Sequence, residues 1–200
     1  HWAVFAEFPH VDISWLQHMP ARKPTKEELA AAIDLTIEDI IGPYLKVLFC
    51  GINPGLYSGA TGLHFARPGN RFWKVLYEAG FTQRLLDPSE ETELLDSGYG
   101  ITCIVDRTTA RADELSKEEF IEGGKVLLEK LDHFKPKMLA VLGLGAYRMA
   151  FDRPKAKVGL QDEKFGNTGI WLLPNPSGLN ANYQLADLIE LFIELKTAVE

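Results

Sequence analysis

The stretch KVLFCGINPG, residues 46–55, decides the fold: a short apolar run is brought to a stop by glycine, asparagine and proline. Similar runs recur downstream, and amphipathic helical stretches separate them. The spacing predicts further strands over Gly100–Val105, over MLAVLG from Met138, and over Ile170–Leu173. It predicts helices over Asn70–Ala79, over Ser116–Phe134, where Ser116 and Glu119 form a capping box, and over about Tyr183–Val199, where LADLIELFIEL keeps helical spacing. Thr25 and Glu28 form another capping box, which starts a helix over about Lys26–Ile33 outside the sheet. Helical crossovers make successive strands parallel, so the expected fold is α/β: a three-layer sandwich with a mostly parallel central sheet flanked by helices.

Composition narrows the function. The chain has 200 residues, 46% hydrophobic and 24% charged, which excludes disorder, collagen and coiled coil. Residues 1–18 (HWAVFAEFPHVDISWLQH) precede Met19 without a clear period and are expected to be a non-native leader or an arm; residues 19–200 are expected to be one domain. No run approaches the roughly 18 apolar residues of a membrane span, so no membrane association is expected. Two cysteines, Cys50 and Cys103, cannot build a disulfide framework or a four-cysteine cluster, and the five histidines lack ligand spacing. Neither a metal nor another cofactor is expected, and the location expected is the cytoplasm. A net charge of −7 argues against binding nucleic acid by bulk charge and leaves a local basic face open.

Ligand sites in open α/β sheets collect at the carboxyl ends of the strands. After the first strand, Asn53 sits in a loop stiffened by Gly51, Pro54 and Gly55, as a neutral amide able to bond water or a flat heterocycle; a plain Asn-Pro turn is the alternative. After the second come Asp106 and Arg107, a carboxylate and a guanidinium that serve either chemistry or a local ion pair. Gly143-Leu144-Gly145-Ala146 suggests a dinucleotide loop, but Arg148 stands where glycine is required, which favours a tight turn. After the fourth strand, Leu179 stands alone between Gly178 and Asn180, in the manner of a wedge that enters a base stack. LHFARPGNRFWK, residues 63–74, interleaves cations with aromatics, as base stacking and phosphate contact require. Phe72 and Trp73 fit the core there, and Phe65 fits stacking.

Together GINPGLYS, HFARPGNRFWK, VDRTT and LPNPSGL, in this order, resemble the mismatch-specific uracil-DNA glycosylases, bacterial relatives of thymine-DNA glycosylase in the uracil-DNA glycosylase superfamily. The resemblance covers about residues 42–195. It implies a monofunctional enzyme that flips uracil, preferentially opposite guanine, and related damaged bases out of duplex DNA and hydrolyses the N-glycosidic bond without a cofactor. Asn53 matches the residue that positions the attacking water. Ile52, Tyr57, Ser58, Phe65 and Asn175 match the base pocket. Gly178, Leu179 and Asn180 match the wedge, with Ser177, Arg67 and Arg71 as expected phosphate contacts. Asp106 is expected to assist Asn53, or else to pair with Arg107 or Arg71.

The sequence departs from its relatives at two places. Asn180-Ala181-Asn182 stands where a basic arginine commonly follows the wedge, with an apparent one-residue insertion, and Cys103 stands where a bacterial relative carries lysine. Both lower the local positive charge, so weaker DNA binding is expected. The implied partner is double-stranded DNA with U:G mismatches, bound by a monomer associated with a bacterial nucleoid. Rival assignments are a nucleotide-dependent oxidoreductase using GLGAYR and a non-catalytic lesion-binding module.

Overall fold

In the computed structural model, which describes residues 22–200, five strands form one sheet in the order β2-β1-β3-β5-β4. These are β1 (Val47–Gly51), β2 (Tyr99–Cys103), β3 (Met138–Leu142), β4 (Gly159–Phe165) and β5 (Thr168–Leu173). β1, β2, β3 and β5 run parallel, while β4 pairs with β5 antiparallel at the edge. The expected α/β sandwich is thus the observed one, with the expected N-terminal leader lying outside the described residues. Among the described residues no helix is long and apolar enough to cross a membrane.

β1, β2, β3 and β5 are buried at every position, because helices cover both faces. Val47, Phe49, Ala140, Leu142, Trp171 and Leu173 point to one face, where α3 (Phe72–Glu78) and α6 (Leu185–Val199) supply Phe72, Leu76, Leu188 and Phe192. Leu48, Cys50, Leu139, Val141, Ile170 and Leu172 point to the other, against α4 (Lys117–Phe134) and α5 (Leu144–Phe151). The alternation of neighbouring residues between two cores follows from the period of two along a strand. α1 (Lys26–Ala31), with its Thr25/Glu28 capping box, packs against α2 (Leu56–Thr61).

Three elements had no clear signal in the sequence. GLQDEKF forms β4, where partly buried and exposed positions alternate; an edge strand has only one face to bury and can carry charges on the other. α2 lasts six residues and breaks at Gly62, which adopts a left-handed conformation. Pro88–Ser97 winds into a 3-10 helix capped by Asp87.

Phe49 is the centre of the aromatic core. Its ring stacks on Phe192 at 6.1 Å and meets Phe72 and Phe81 edge-on at 5.6 and 5.3 Å. Phe49→Ala is expected to destabilise the fold by about 3–5 kcal/mol, read from the urea midpoint at unchanged slope.

Candidate active site

The parallel pairing of β1 with β2 does not end with the strands. Ile104 N–H donates to Gly51 O and Val105 N–H to Ile52 O, both at 3.0 Å, and Thr109 N–H reaches Pro54 O at 3.2 Å. The loops after β1 and β2 are therefore laced together, and they open on a cavity of about 640 Å³ at the carboxyl ends of the strands. A cavity of that size is in the range that takes a nucleobase-sized ligand.

Asn53 is fixed by this lacing. Its Nδ2 donates to Arg107 O at 2.9 Å, to Thr109 Oγ1 at 2.8 Å and to Pro54 O at 3.2 Å. Thr109 Oγ1 can accept because its own hydrogen goes to Arg111 O at 2.8 Å. With both amide hydrogens taken by three acceptors, the amide has one orientation, and Oδ1 has no protein partner among the described residues. The side chain offers the cavity an acceptor and nothing else. The Arg107 carbonyl is held in turn, because the Arg107 guanidinium bonds Glu119 at 2.7 Å and Asp34 at 2.9 Å. Those bonds, Arg107 first and the Ser116 amide next, draw the Glu119 carboxyl down to about 2.

Ile52, Tyr57, Ser58, Phe65, Arg67, Asn175, Ser177 and Leu179 line the same cavity as Asn53. The backbone amides of Ile52 and Phe65 donate to no protein acceptor among the described residues. Phe65 adopts a positive φ of 51° and stacks its ring on Phe72 at 4.0 Å. Leu179 is 75% exposed at its loop tip, so it is no anchor of the core. Arg67 is exposed at the rim, with no side-chain partner among the described residues.

Four expected site residues are placed elsewhere. The Asp106 carboxylate points to Lys130, 3.5 Å away, which also pairs with Asp39 at 2.7 Å, so Asp106 neither joins Asn53 nor pairs with Arg107 or Arg71. The chain has turned after Val105, and position 106 faces α4. Arg71, expected on phosphate, directs its guanidinium inward onto the loop that carries Leu179. Asn180 caps the same loop through Asn175 O at 3.0 Å and borders a neighbouring cavity. Gly178 lies on Gly69, where an added Cβ would come within 2.5 Å of the Gly69 carbonyl oxygen.

Thr109, His64 and Glu91 have no site signal in the sequence, and Cys103 has one only as a position without the cation of a relative. His64 lines the cavity, and its buried Glu91 partner accepts from the His64 N–H at 2.8 Å and lies 3.1 Å from Nδ1. Cys103 also lines the cavity, and burial pushes its thiol well up, so it is neutral there. HFARP and VDRTT contain two of these residues, but Glu91 lies in a polar segment with no motif.

Residues 38–196 match the Uracil DNA glycosylase superfamily. The chain belongs to that superfamily. A solution NMR structure from Methanosarcina acetivorans, of a protein provisionally described as a uracil DNA glycosylase, shares the fold at a TM-score of 0.56. The two chains are 16% identical, and the match covers 82% of this one and 99% of that one. Membership in the uracil DNA glycosylase superfamily supports a hydrolase that acts on DNA and does not favour the assignment of GLGAYR to a nucleotide-dependent oxidoreductase. A Cβ at Gly143 would come within 3.0 Å of Ile52, so its backbone approach serves packing, and Arg148 bonds Ala156 O at 2.6 Å.

In this superfamily member the His64–Glu91 pair is also a structural support. Glu91→Ala is expected to cost about 3 kcal/mol, because it strips the acceptor from a buried amide and a buried ring nitrogen. Glu91→Gln, which keeps an acceptor oxygen, should cost less than half as much in urea unfolding.

Proposed function

We propose that this protein is a monofunctional DNA glycosylase that flips uracil, preferentially opposite guanine, and related damaged bases out of duplex DNA and hydrolyses the glycosidic bond. It acts as a monomer, with residues 19–200 as the working domain, in the bacterial cytoplasm on nucleoid DNA. The observation that carries the proposal is the locked Asn53 amide, whose Oδ1 is left as an acceptor, in a cavity also lined by Ile52 and Phe65, whose backbone amides donate to no acceptor among the described residues.

Each group has a task in that reaction. The C1′–N1 bond breaks with its electron pair moving onto the base, so negative charge grows on the uracil oxygens and positive charge on the sugar. The backbone N–H groups of Ile52 and Phe65, residues that line the cavity and whose amides have no acceptor among the described residues, are the donors to stabilise the departing anion without reorganising. Asn53 Oδ1 accepts a hydrogen from water and holds its oxygen toward C1′; the new C–O bond leaves an abasic site, and the surplus proton passes to the base or to solvent. An amide orients water but is a poor base, so the bond to the base must be largely broken before water adds. Leu179 occupies the vacated position in the stack, and Arg67 meets phosphate at the rim.

Incubation with a duplex holding one U:G pair, followed by alkaline cleavage, tests the proposal: strand scission supports it, and an intact strand refutes it. Asn53→Ala should leave duplex binding nearly unchanged and slow single-turnover excision by about a hundredfold or more, because water positioning operates only in the transition state. Asp106→Asn should stay within about twofold of wild type in the same assay, as expected of a carboxylate paired with Lys130 outside the cavity.

A further inference from the structure

We propose that Arg71 is a positioning residue that builds the DNA wedge, acting on the duplex through Leu179 rather than by touching phosphate. The inference rests on the glycosylase proposal and concerns how its wedge is held. Four carbonyl oxygens of the loop after β5 and its exit converge on one guanidinium. Nε donates to Pro176 O at 3.2 Å, Nη1 to Tyr183 O at 2.7 Å, and Nη2 to Ser177 O at 2.7 Å and Asn180 O at 3.2 Å. The Arg71 backbone N–H adds a bond to Pro176 O at 3.1 Å.

Such convergence sets the negative ends of several peptide dipoles side by side, and that arrangement needs a cation with several fixed donors. A guanidinium holds its N–H groups in a rigid plane and can reach four acceptors at once, whereas an ammonium is a compact point charge on a flexible stem. Arg71 has no carboxylate partner among the described residues, so its charge answers the carbonyls alone. The bonds flank Leu179 on both sides. They also hold Asn180, at the start of the Asn180-Ala181-Asn182 stretch, and Tyr183, which follows it.

Within the loop, Leu179 N–H bonds Ser177 Oγ at 3.2 Å and Ser177 N–H bonds Asn175 Oδ1 at 2.9 Å. Local turns of this kind shape the tip but do not tie it to the rest of the protein. Arg71 does so, and it starts α3, on the segment that also carries His64, Phe65 and Arg67 of the cavity wall. Gly178 rests on Gly69 of that segment. A wedge and a base pocket that share one support meet a flipped nucleotide at a fixed separation, so the loop need not be ordered when DNA binds.

The discriminating substitution is Arg71→Lys. A phosphate contact tolerates lysine, and a four-carbonyl brace does not. Wild type, Arg71→Lys, Leu179→Ala and the double variant are compared in single-turnover excision from a U:G duplex and from the same uracil strand alone. Affinity for a duplex with a stable abasic-site analogue is measured in parallel. Arg71→Lys is expected to slow duplex excision by about tenfold, as Leu179→Ala does, and to stay within about twofold on the single strand, where there is no stack to fill. The double variant should be no more than about twofold slower on duplex than the slower single variant, since both changes remove the same wedge. Wild-type duplex excision by Arg71→Lys, losses that multiply in the double variant, or equal losses on both substrates would each overturn the proposal. Arg71→Gln repeats the comparison if the lysine variant melts early. Should the wild type excise uracil from neither substrate, the glycosylase proposal fails, while matched losses of abasic-duplex affinity in Arg71→Lys and Leu179→Ala still decide the role of Arg71.

Discussion

Everything at the site depends on a hydrogen-bond ladder that runs past the ends of its own strands. Ile104 and Val105 donate to the Gly51 and Ile52 carbonyls after β1 and β2 have formally ended, and Thr109 continues to Pro54. Because the ladder fixes both loops in one register, a carbonyl from Arg107 and a hydroxyl from Thr109 arrive at the Asn53 amide without any flexible link. An asparagine on a free loop could present either end of its amide. Here the acceptors leave only one arrangement, and the chemistry open to Asn53 follows from it.

The electrostatics of the cavity are set by where charge has been neutralised. Arg107 is paired with Glu119 and Asp34, and Arg111 with Asp113 at the surface, so carboxylates offset part of the positive charge near the cavity. Glu119 keeps its charge well into acid because its carboxyl is drawn down to about 2. The sign is that of a depressed carboxylate: the Arg107–Glu119 pair contributes above the ordinary carboxylate range and is lost only as pH falls toward 2. The support under the Arg107 carbonyl, and so under Asn53, is therefore insensitive to pH near neutrality. With a net charge of −7 and such pairing, the proposed affinity for DNA would rest on few phosphate contacts together with shape, which would make the form of the proposed wedge more consequential than its charge.

Where side chains face two cores, the sequence is easy to interpret: β1, β3 and β5 are continuous apolar runs because no position in them meets water. β4 lacks that mark, since an edge strand with one wet face looks like any charged loop. Asn53 was legible because glycine and proline around it signal a held conformation. The direction of the Asp106 side chain is not legible, because composition near a strand end does not say which way the next side chain turns, and here it turns toward Lys130. The bonds of Arg71 are hidden for a related reason, as a cation among aromatics suggests phosphate whether the guanidinium faces out or in. Glu91 could not be found at all, since its partner lies 27 residues away and only the fold joins them.

A rigid site of this kind shifts discrimination away from the pocket. Most charged groups near Asn53 are paired, Arg67 at the rim excepted, and the donors open to a base include the backbone amides of Ile52 and Phe65, which bond any pyrimidine carbonyl they reach. Little in that arrangement separates uracil from a similar base once it has entered. Flipping costs a few kcal/mol and costs least where pairing is already poor, so under the proposed function a braced wedge that fills the vacated position would favour mismatched and damaged pairs over sound ones before any contact with the base is made. Selectivity in such a protein resides in the stability of the DNA pair as much as in the cavity, and a wedge that had to be ordered on binding would lose part of that difference to its own entropy.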